Sequence, residues 1–181
     1  MKLVWRWAVI ALICGTTAAP MWAQSRYANA QNVSQDRNFL QAAGQFTAAT
    51  LAFSNAVKDR TPKVTVRAFS EGVIDNSHRM RQRLRYLASQ EGVTLPEVPN
   101  AQARGRKAQL SRTRAADLNG EYARLIINQD QAAIPQFQQE ARSGANPLIR
   151  DFARENLPRL QEWLNRAREI EDNSRPLQAA K

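Results

Sequence analysis

Histidine and cysteine are nearly absent from this sequence, which contains one residue of each type, His78 and Cys14, among 181 residues. A single cysteine excludes an intrachain disulfide. A single histidine excludes the paired imidazole ligands that many zinc and iron centres use. Strand-like alternation of apolar and polar residues is also lacking, so the sequence predicts an all-α fold.

Long apolar runs are lacking as well. The uncharged run from Trp7 to Ile13 is too short to span a membrane, which takes about 20 residues. Basic residues precede this run and small residues follow it, an order typical of a secretory signal peptide. We expect residues 1–23 to be removed by cleavage after Ala23, with a second small-residue site after Ala30. An uncleaved anchor is the alternative. The predicted localisation is the periplasm or the secreted fraction, with outer-membrane association left open.

Cys14 lies within this signal peptide. A lipid-modified cysteine would follow a small residue, and Ile13 is not small, so we do not expect a lipoprotein. The mature chain would then contain no thiol.

Apolar residues recur at steps of three and four in four segments, and each of these segments predicts a helix that buries one stripe. The segments are residues 36–58, 61–91, 115–142 and 147–170. The residues expected at the helix starts are Ser34, Thr61-Pro62 and Asn146-Pro147, and those expected at the ends are Gly92 and Gly144.

The segments between these helices have no apolar period. Residues 92–104 contain two prolines and predict a long connection between the second and third helices, followed by a short basic helix near residues 106–112. Residues 24–35 predict a flexible lead-in, and residues 171–181 a disordered tail. Residues 36–170 then form one domain, a four-helix bundle.

Five short motifs occur in order along the chain: Phe39-Leu40 with Ala42-Ala43, Val66-x-x-Phe69, Ala88-x-x-x-Gly92-Val93-x-Leu95-Pro96, Phe137-x-x-Glu140-Ala141-x-Ser143-Gly144 and Phe152-Ala153-x-x-x-Leu157-Pro158-x-Leu160. Through these motifs and their spacing, the sequence resembles a bacterial envelope family of ferritin-like bundles with no assigned function, the domain of unknown function DUF4142. The resemblance implies a ferritin-like bundle.

The resemblance also implies a metal constellation in typical members, made of a Glu, two Asp-His pairs and a final His on four successive helices. In this sequence those positions hold Thr50, Asn76-Ser77, Gln129-Asp130 and Trp163. Only Asp130 could donate a charge, and zinc or iron needs at least three protein ligands. We therefore expect no metal and no cofactor.

Two residues near these positions need separate interpretation. His78 lies roughly opposite the apolar stripe of its helix at 100° per residue, so we expect it in solvent rather than at a metal. Trp163 lies within the stripe of the fourth helix. We expect a core aromatic whose N–H donates to Gln129 or Thr50, with Gln129 facing inward.

Positive charge is concentrated in one segment. Residues 60–114 contain twelve Lys or Arg residues against four Asp or Glu residues. The candidate anion-binding residues cluster beside the long connection: Arg104, Arg106, Lys107, Arg112 and Arg114. The implied partners are anionic lipid head groups or acidic polysaccharide, while a merely solvated surface is the alternative. Nucleic acid is not expected, because the chain is exported and the segment offers few aromatic residues for stacking.

Three functions remain after these observations. The first is an exported, non-catalytic bundle with a structural, interaction or stress-related role in the envelope. The second is an electrostatic binder of anionic envelope components through residues 79–114. The third is a ferritin-like metal or redox protein with atypical ligands. Because the sequence shows no inward carboxylate pair and no nucleophile–base pair, we expect no enzymatic activity.

Overall fold

The computed structural model describes residues 21–174, with side chains from residue 33 onward, and all regular structure in that range is helical. The helices are α1 (Met21–Val57), α2 (Val64–Gln90), α3 (Ala101–Arg112), α4 (Ala115–Ser143) and α5 (Pro147–Asp172). The all-α prediction is confirmed. The predicted signal peptide up to residue 20 and the tail from residue 175 lie outside the described residues.

Four long helices form the bundle. Helix α1 packs against α2 and α4, and α5 packs against α4 and α2, so the four helices close a ring around one core. The short helix α3 lies mainly on α1 and touches α4. The predicted four-helix bundle with an extra short helix after the second one is therefore confirmed. Within residues 21–174, none of the helices combines the length and apolar character needed to cross a bilayer.

Phenylalanines from three helices fill one end of the core. The ring centroids of Phe39 and Phe137 are 4.9 Å apart in an edge-to-face arrangement, and Phe152 lies 6.2 Å from Phe39 and 6.1 Å from Phe137. Phe46 approaches Phe137 at 6.2 Å. Such offset pairs add about 0.5–1.5 kcal/mol each beyond simple burial, so this cluster joins α1, α4 and α5.

The predicted helix ends depend on local backbone chemistry, and most are confirmed. Gly92 adopts a left-handed φ of 62°, and the following Val93 N–H donates to the Ala88 carbonyl at 2.8 Å, which closes α2 in the usual six-residue loop. The Asn146 side chain accepts from the Leu148 N–H at 2.9 Å and begins α5.

The start of α2 differs from the prediction. Helix α2 begins at Val64, with Lys63 at the N-cap and no side-chain cap. Thr61 is buried instead, where its hydroxyl donates to Asn119 Oδ1 at 2.8 Å and accepts from the Lys63 N–H at 3.2 Å. The threonine therefore stabilises the turn before the helix by contacting α4.

Three predicted boundaries are also displaced. Helix α1 begins at Met21 rather than after Ser34, because residues 22–35 contain no Gly or Pro to stop a helix that α1 has already nucleated. Helix α3 begins at Ala101, since Asn100 accepts from the Ala103 N–H at 2.9 Å and caps it. Helix α5 continues to Asp172, past the predicted end at residue 170.

Candidate functional site

Four of the six residues at which the resemblance places metal ligands lie in the core, and the other two, Asn76 and Gln129, are half-buried. Thr50, Ser77 and Asp130 are fully buried, and Trp163 is 4 % exposed. The Thr50 hydroxyl donates to the Phe46 carbonyl one turn earlier at 2.7 Å. The core position predicted for Trp163 is confirmed, but within the described residues its indole forms no hydrogen bond with Gln129 or Thr50.

The prediction that Gln129 faces inward is wrong. Gln129 is half-buried and lines a surface groove, whereas Asp130 is fully buried. The spacing could have shown this, because Asp130 lies four residues after Ile126 and three before Ala133, which are both buried. The residue type concealed it, since carboxylates are rarely buried without a partner.

Asp130 is a buried carboxyl group without hydrogen-bond partners on either oxygen. Burial raises its pKa from 3.8 to about 8, because a desolvated carboxylate is costly. The Ser77 hydroxyl is another buried group without a partner. In the same core, the Tyr122 hydroxyl pairs with Ser54 Oγ at 2.9 Å. Burial chiefly, and the Asp130 charge in addition, raise the pKa of Tyr122.

The donors at these positions do not fit a zinc or iron ion. Asp130 is one carboxylate, Thr50 and Ser77 are neutral hydroxyls, and an indole does not bind metal. Among residues 21–174, no three His, Cys, Asp or Glu side chains come together as a metal site. His78 is exposed on α2, as predicted. The core can therefore hold a proton on Asp130 but offers a metal too few ligands.

A buried acidic pair, separate from Asp130, lies at one end of the bundle and was not predicted from the sequence. Asp36 and Glu140 are each 1 % exposed. Asp36 accepts from the backbone N–H groups of Ala145 and Asn146, both at 2.7 Å. Asp36 lies inside α1, and its carboxylate holds the turn between α4 and α5.

Glu140 is hydrogen-bonded through one of its two carboxylate oxygens. Its Oε2 accepts from Gln35 Nε2 at 3.0 Å, while Oε1 has no partner. Burial, together with the neighbouring Asp36, raises the pKa of Glu140 to about 7, although the Gln35 hydrogen bond opposes this shift. The expected absence of an inward carboxylate pair is thus corrected. Both side chains are almost fully buried, and it is Asp36 that holds the α4–α5 turn.

Two arginines of the basic segment, Arg81 and Arg85, form contacts within the fold. Arg81 is buried, with 9 % exposed, and its guanidinium contacts the Pro96 carbonyl at 3.4 Å and the Glu97 carboxylate at 3.2 Å. Arg85 donates to the same carboxylate at 3.0 Å. The hydrogen bond from Arg85 is the main cause that lowers the pKa of Glu97. These two arginines hold the long connection against α2 and are not free to bind an anion.

The five predicted anion-binding residues lie on α3 and in the turn after it, and all are exposed. Arg104 donates to the Pro99 carbonyl at 2.8 Å, and Arg114 pairs with Asp117 at 2.9 Å. Arg106, Lys107 and Arg112 form no ion pair within the described part of the chain. The structure therefore places all five on or directly after α3, and within the described residues three of them form neither an ion pair nor a side-chain hydrogen bond.

A groove of about 350 Å³ opens where α3 lies across α1 and α4. Phe46 and Phe137 contribute apolar surface to its lining, and Arg106 is its one charged residue. Six amide side chains complete it: Gln45, Asn100, Gln102, Asn128, Gln129 and Gln136. No carboxylate lines it. No pattern in the sequence indicates this groove, because its residues come from three helices that are distant in the chain.

This lining defines what the groove can recognise. Side-chain amides both donate and accept hydrogen bonds, so they suit ligands rich in hydroxyl groups. An arginine binds carboxylate or phosphate through parallel N–H donors. Among the described residues, the lining of this groove includes no imidazole, thiol or carboxyl group of the kind that acts as a general base or an activated nucleophile.

Comparison with known proteins identifies a family and a fold. The family model described as "Domain of unknown function (DUF4142)" matches residues 22–170. The crystal structure of a DUF305 fragment from Deinococcus radiodurans is similar, with a TM-score of 0.69 and 17 % identity, over 77 % of this chain and 96 % of that one. A conserved hypothetical protein from Mycobacterium tuberculosis has a TM-score of 0.62 and 19 % identity, over 83 % and 99 %. Comparison with curated proteins gives no match.

Proposed function

Since the chain belongs to the DUF4142 family, whose function is unknown, we propose a role from its own surface: an exported, non-catalytic protein of the bacterial envelope that binds acidic polysaccharide. Export is supported by the basic, apolar and small-residue order of residues 1–23. The observation that carries the binding role is Arg106, an unpaired arginine in an amide-lined groove.

The choice of polysaccharide over lipid depends on the groove and on α3. Helix α3 buries only Ala103 and Leu110, and its remaining side chains are mostly polar or basic. A helix that inserts into a bilayer surface needs an exposed apolar face opposite its charges, and α3 has none. A polymer that carries hydroxyl and carboxylate groups instead matches the amides and Arg106.

The proposed absence of catalysis follows from where the acids lie. Asp130 and Glu140 are the carboxyl groups with raised pKa values, and both are buried in the core rather than in the groove. A general acid or base must come within hydrogen-bond reach of its substrate. Neither Asp130 nor Glu140 is among the residues that line the Arg106 groove.

The test is binding of the mature chain to polygalacturonate, with dextran as the neutral control polymer. We expect binding to polygalacturonate that weakens roughly tenfold between about 50 and 300 mM salt. Arg106→Gln should weaken it severalfold. Arg168→Gln removes the same charge from an exposed position on α5 and should have little effect. Equal binding of dextran, or equal losses in both variants, would contradict the proposal, as would binding to anionic vesicles alone.

A further inference from the structure

A second groove, of about 410 Å³, lies between α2 and α5 on a different side of the bundle. These two helices are the least closely packed neighbours in the ring. One reason is a pair of small residues on α2, Ala68 and Gly72, which both line the groove. A Cβ atom added at Gly72 would meet nothing within 4 Å, so the space above this glycine is open.

Two aromatic residues contribute apolar surface to this groove. Phe69 is 9 % exposed and Trp163 is 4 % exposed, so each is held by the core while it lines the groove. Rings fixed in this way can stack on a flat apolar ligand without losing much side-chain freedom on binding.

The charged rim of the groove favours an anion. It contains Arg79, Arg159 and Arg166 against Asp75 and Glu162. Arg159 pairs with Glu162 at 2.8 Å, and within the described residues Arg79 and Arg166 form no ion pair. Arginines that are not already neutralised are the usual donors to ligand carboxylate, sulfonate or phosphate groups.

Asn76 supplies a further polar group. It lines the groove, and its Nδ2 atom is buried without a hydrogen-bond partner. A buried N–H donor that forms no hydrogen bond lowers the stability of the fold. Because this atom has almost no accessible surface, a ligand acceptor in the groove reaches it when the Asn76 side chain turns towards the groove.

We infer that the α2–α5 groove binds a small organic anion with a planar apolar body. The apolar body lies against Phe69 and Trp163, the anionic group contacts Arg79 and Arg166, and a ligand acceptor takes the Asn76 amide. The volume falls within the usual range of about 300–1,000 Å³ for small-molecule sites. This site is separate from the Arg106 groove, and its ligand is a free small molecule rather than a polymer.

Trp163 makes the inference measurable. Of the four tryptophans in the sequence, Trp5, Trp7 and Trp22 lie in residues 1–23. A chain cleaved after Ala23 therefore retains Trp163 as its only tryptophan. The probe is anilinonaphthalene sulfonate, a planar aromatic anion. We expect saturable quenching of Trp163 emission with one site per chain, and an amide analogue of the probe without the sulfonate should bind at least fivefold more weakly.

Matched variants locate the site. Gly72→Leu fills the open space and should weaken probe binding at least tenfold, while the thermal midpoint stays the same or rises, because leucine favours a helix more than glycine does. Gly105→Leu is the control, since Gly105 is also an exposed helical glycine with nothing within 4 Å. Arg79→Gln and Arg166→Gln together should weaken binding severalfold, and the Arg168→Gln control should not.

Three results would overturn the inference. They are unchanged probe binding in Gly72→Leu, equal losses in Gly72→Leu and Gly105→Leu, and equal affinity for the charged probe and its neutral analogue. Circular dichroism of each variant shows whether the helices are retained. If Gly72→Leu fails to fold, the Arg79→Gln, Arg166→Gln variant and the neutral analogue still decide the question.

Discussion

Asp36 on α1 and Asn146 at the start of α5 are joined by a 2.7 Å hydrogen bond from the Asn146 N–H to Asp36 Oδ2. The other oxygen of Asp36 accepts from the Ala145 N–H at the same distance. One carboxylate thus satisfies two backbone donors in the α4–α5 turn, 109 and 110 positions away in sequence.

The first prediction follows from this relationship. Asp36→Ala should lower the free energy of unfolding by about 3 kcal/mol, because two part-buried N–H groups lose a charged acceptor. Asp59→Ala is the matched control at an exposed position and should change it by less than about 0.5 kcal/mol. The measurement is urea denaturation followed by circular dichroism. Equal effects of the two variants would show that the Asp36 contacts contribute nothing.

The second prediction concerns pH. The pKa of Asp130 is about 8 in the folded chain against an ordinary 3.8, so the folded state binds the proton more tightly. The contribution of the Asp130 proton to the free energy of unfolding is fully present below about pH 4, and it is lost as the pH rises towards 8. Within that window the free energy of unfolding should fall by about 1 kcal/mol per pH unit. Glu140, with a pKa of about 7, adds to the same trend.

Asp130→Asn isolates this contribution. The amide does not titrate, so the variant should lose much of the decrease between pH 5 and pH 8, while Asp75→Asn at an exposed position keeps it. Denaturant titrations at four pH values measure the slopes. A wild-type stability that rises with pH over this range would contradict the assignment of a protonated Asp130.

These acids also show what the sequence could reveal. Gly92 and the Asn146-Pro147 pair were predictable because helix ends follow from local backbone geometry. Asp130 and Glu140 lie on the apolar stripe of α4, three residues before Ala133 and three after Phe137, but their residue type indicated solvent. Which polar residue becomes buried depends on how neighbouring helices pack. The two grooves likewise arise only after residues from separate helices are brought together.

The third prediction separates two arginines that share one partner. Arg81 and Arg85 both bind Glu97 Oε2, but their side chains are 10 % and 54 % exposed. Arg81→Ala should cost about 2–3 kcal/mol, because it also removes buried packing and contacts with backbone carbonyls. Arg85→Ala should cost less than about 1 kcal/mol, as is usual for an exposed ion pair. Chemical denaturation measures both, and a larger loss for Arg85→Ala would refute the structural role of Arg81.

The last prediction tests whether the core positions match the ligand positions of typical family members. Thr50, Ser77 and Trp163 are buried together with Asp130. A triple variant with Thr50→Glu, Ser77→His and Trp163→His would supply three ligands in addition to Asp130, enough for a tetrahedral Zn²⁺ or Co²⁺ site. We expect Co²⁺ to give the visible absorption of a tetrahedral site and to raise the thermal midpoint, because metal that binds only the folded chain stabilises it.

The control for this experiment moves one ligand by a single position. The control is the double variant Thr50→Glu, Trp163→His, in which the native His78 is the imidazole on α2. Because His78 lies on the exposed face of α2, this variant should show neither the absorption nor the stabilisation. If the triple variant folds, as judged by circular dichroism, and Co²⁺ changes neither its absorption nor its midpoint, then the four positions do not converge, and the residue-by-residue correspondence is wrong. Binding by both variants would place the site at His78 and would equally refute the assigned register.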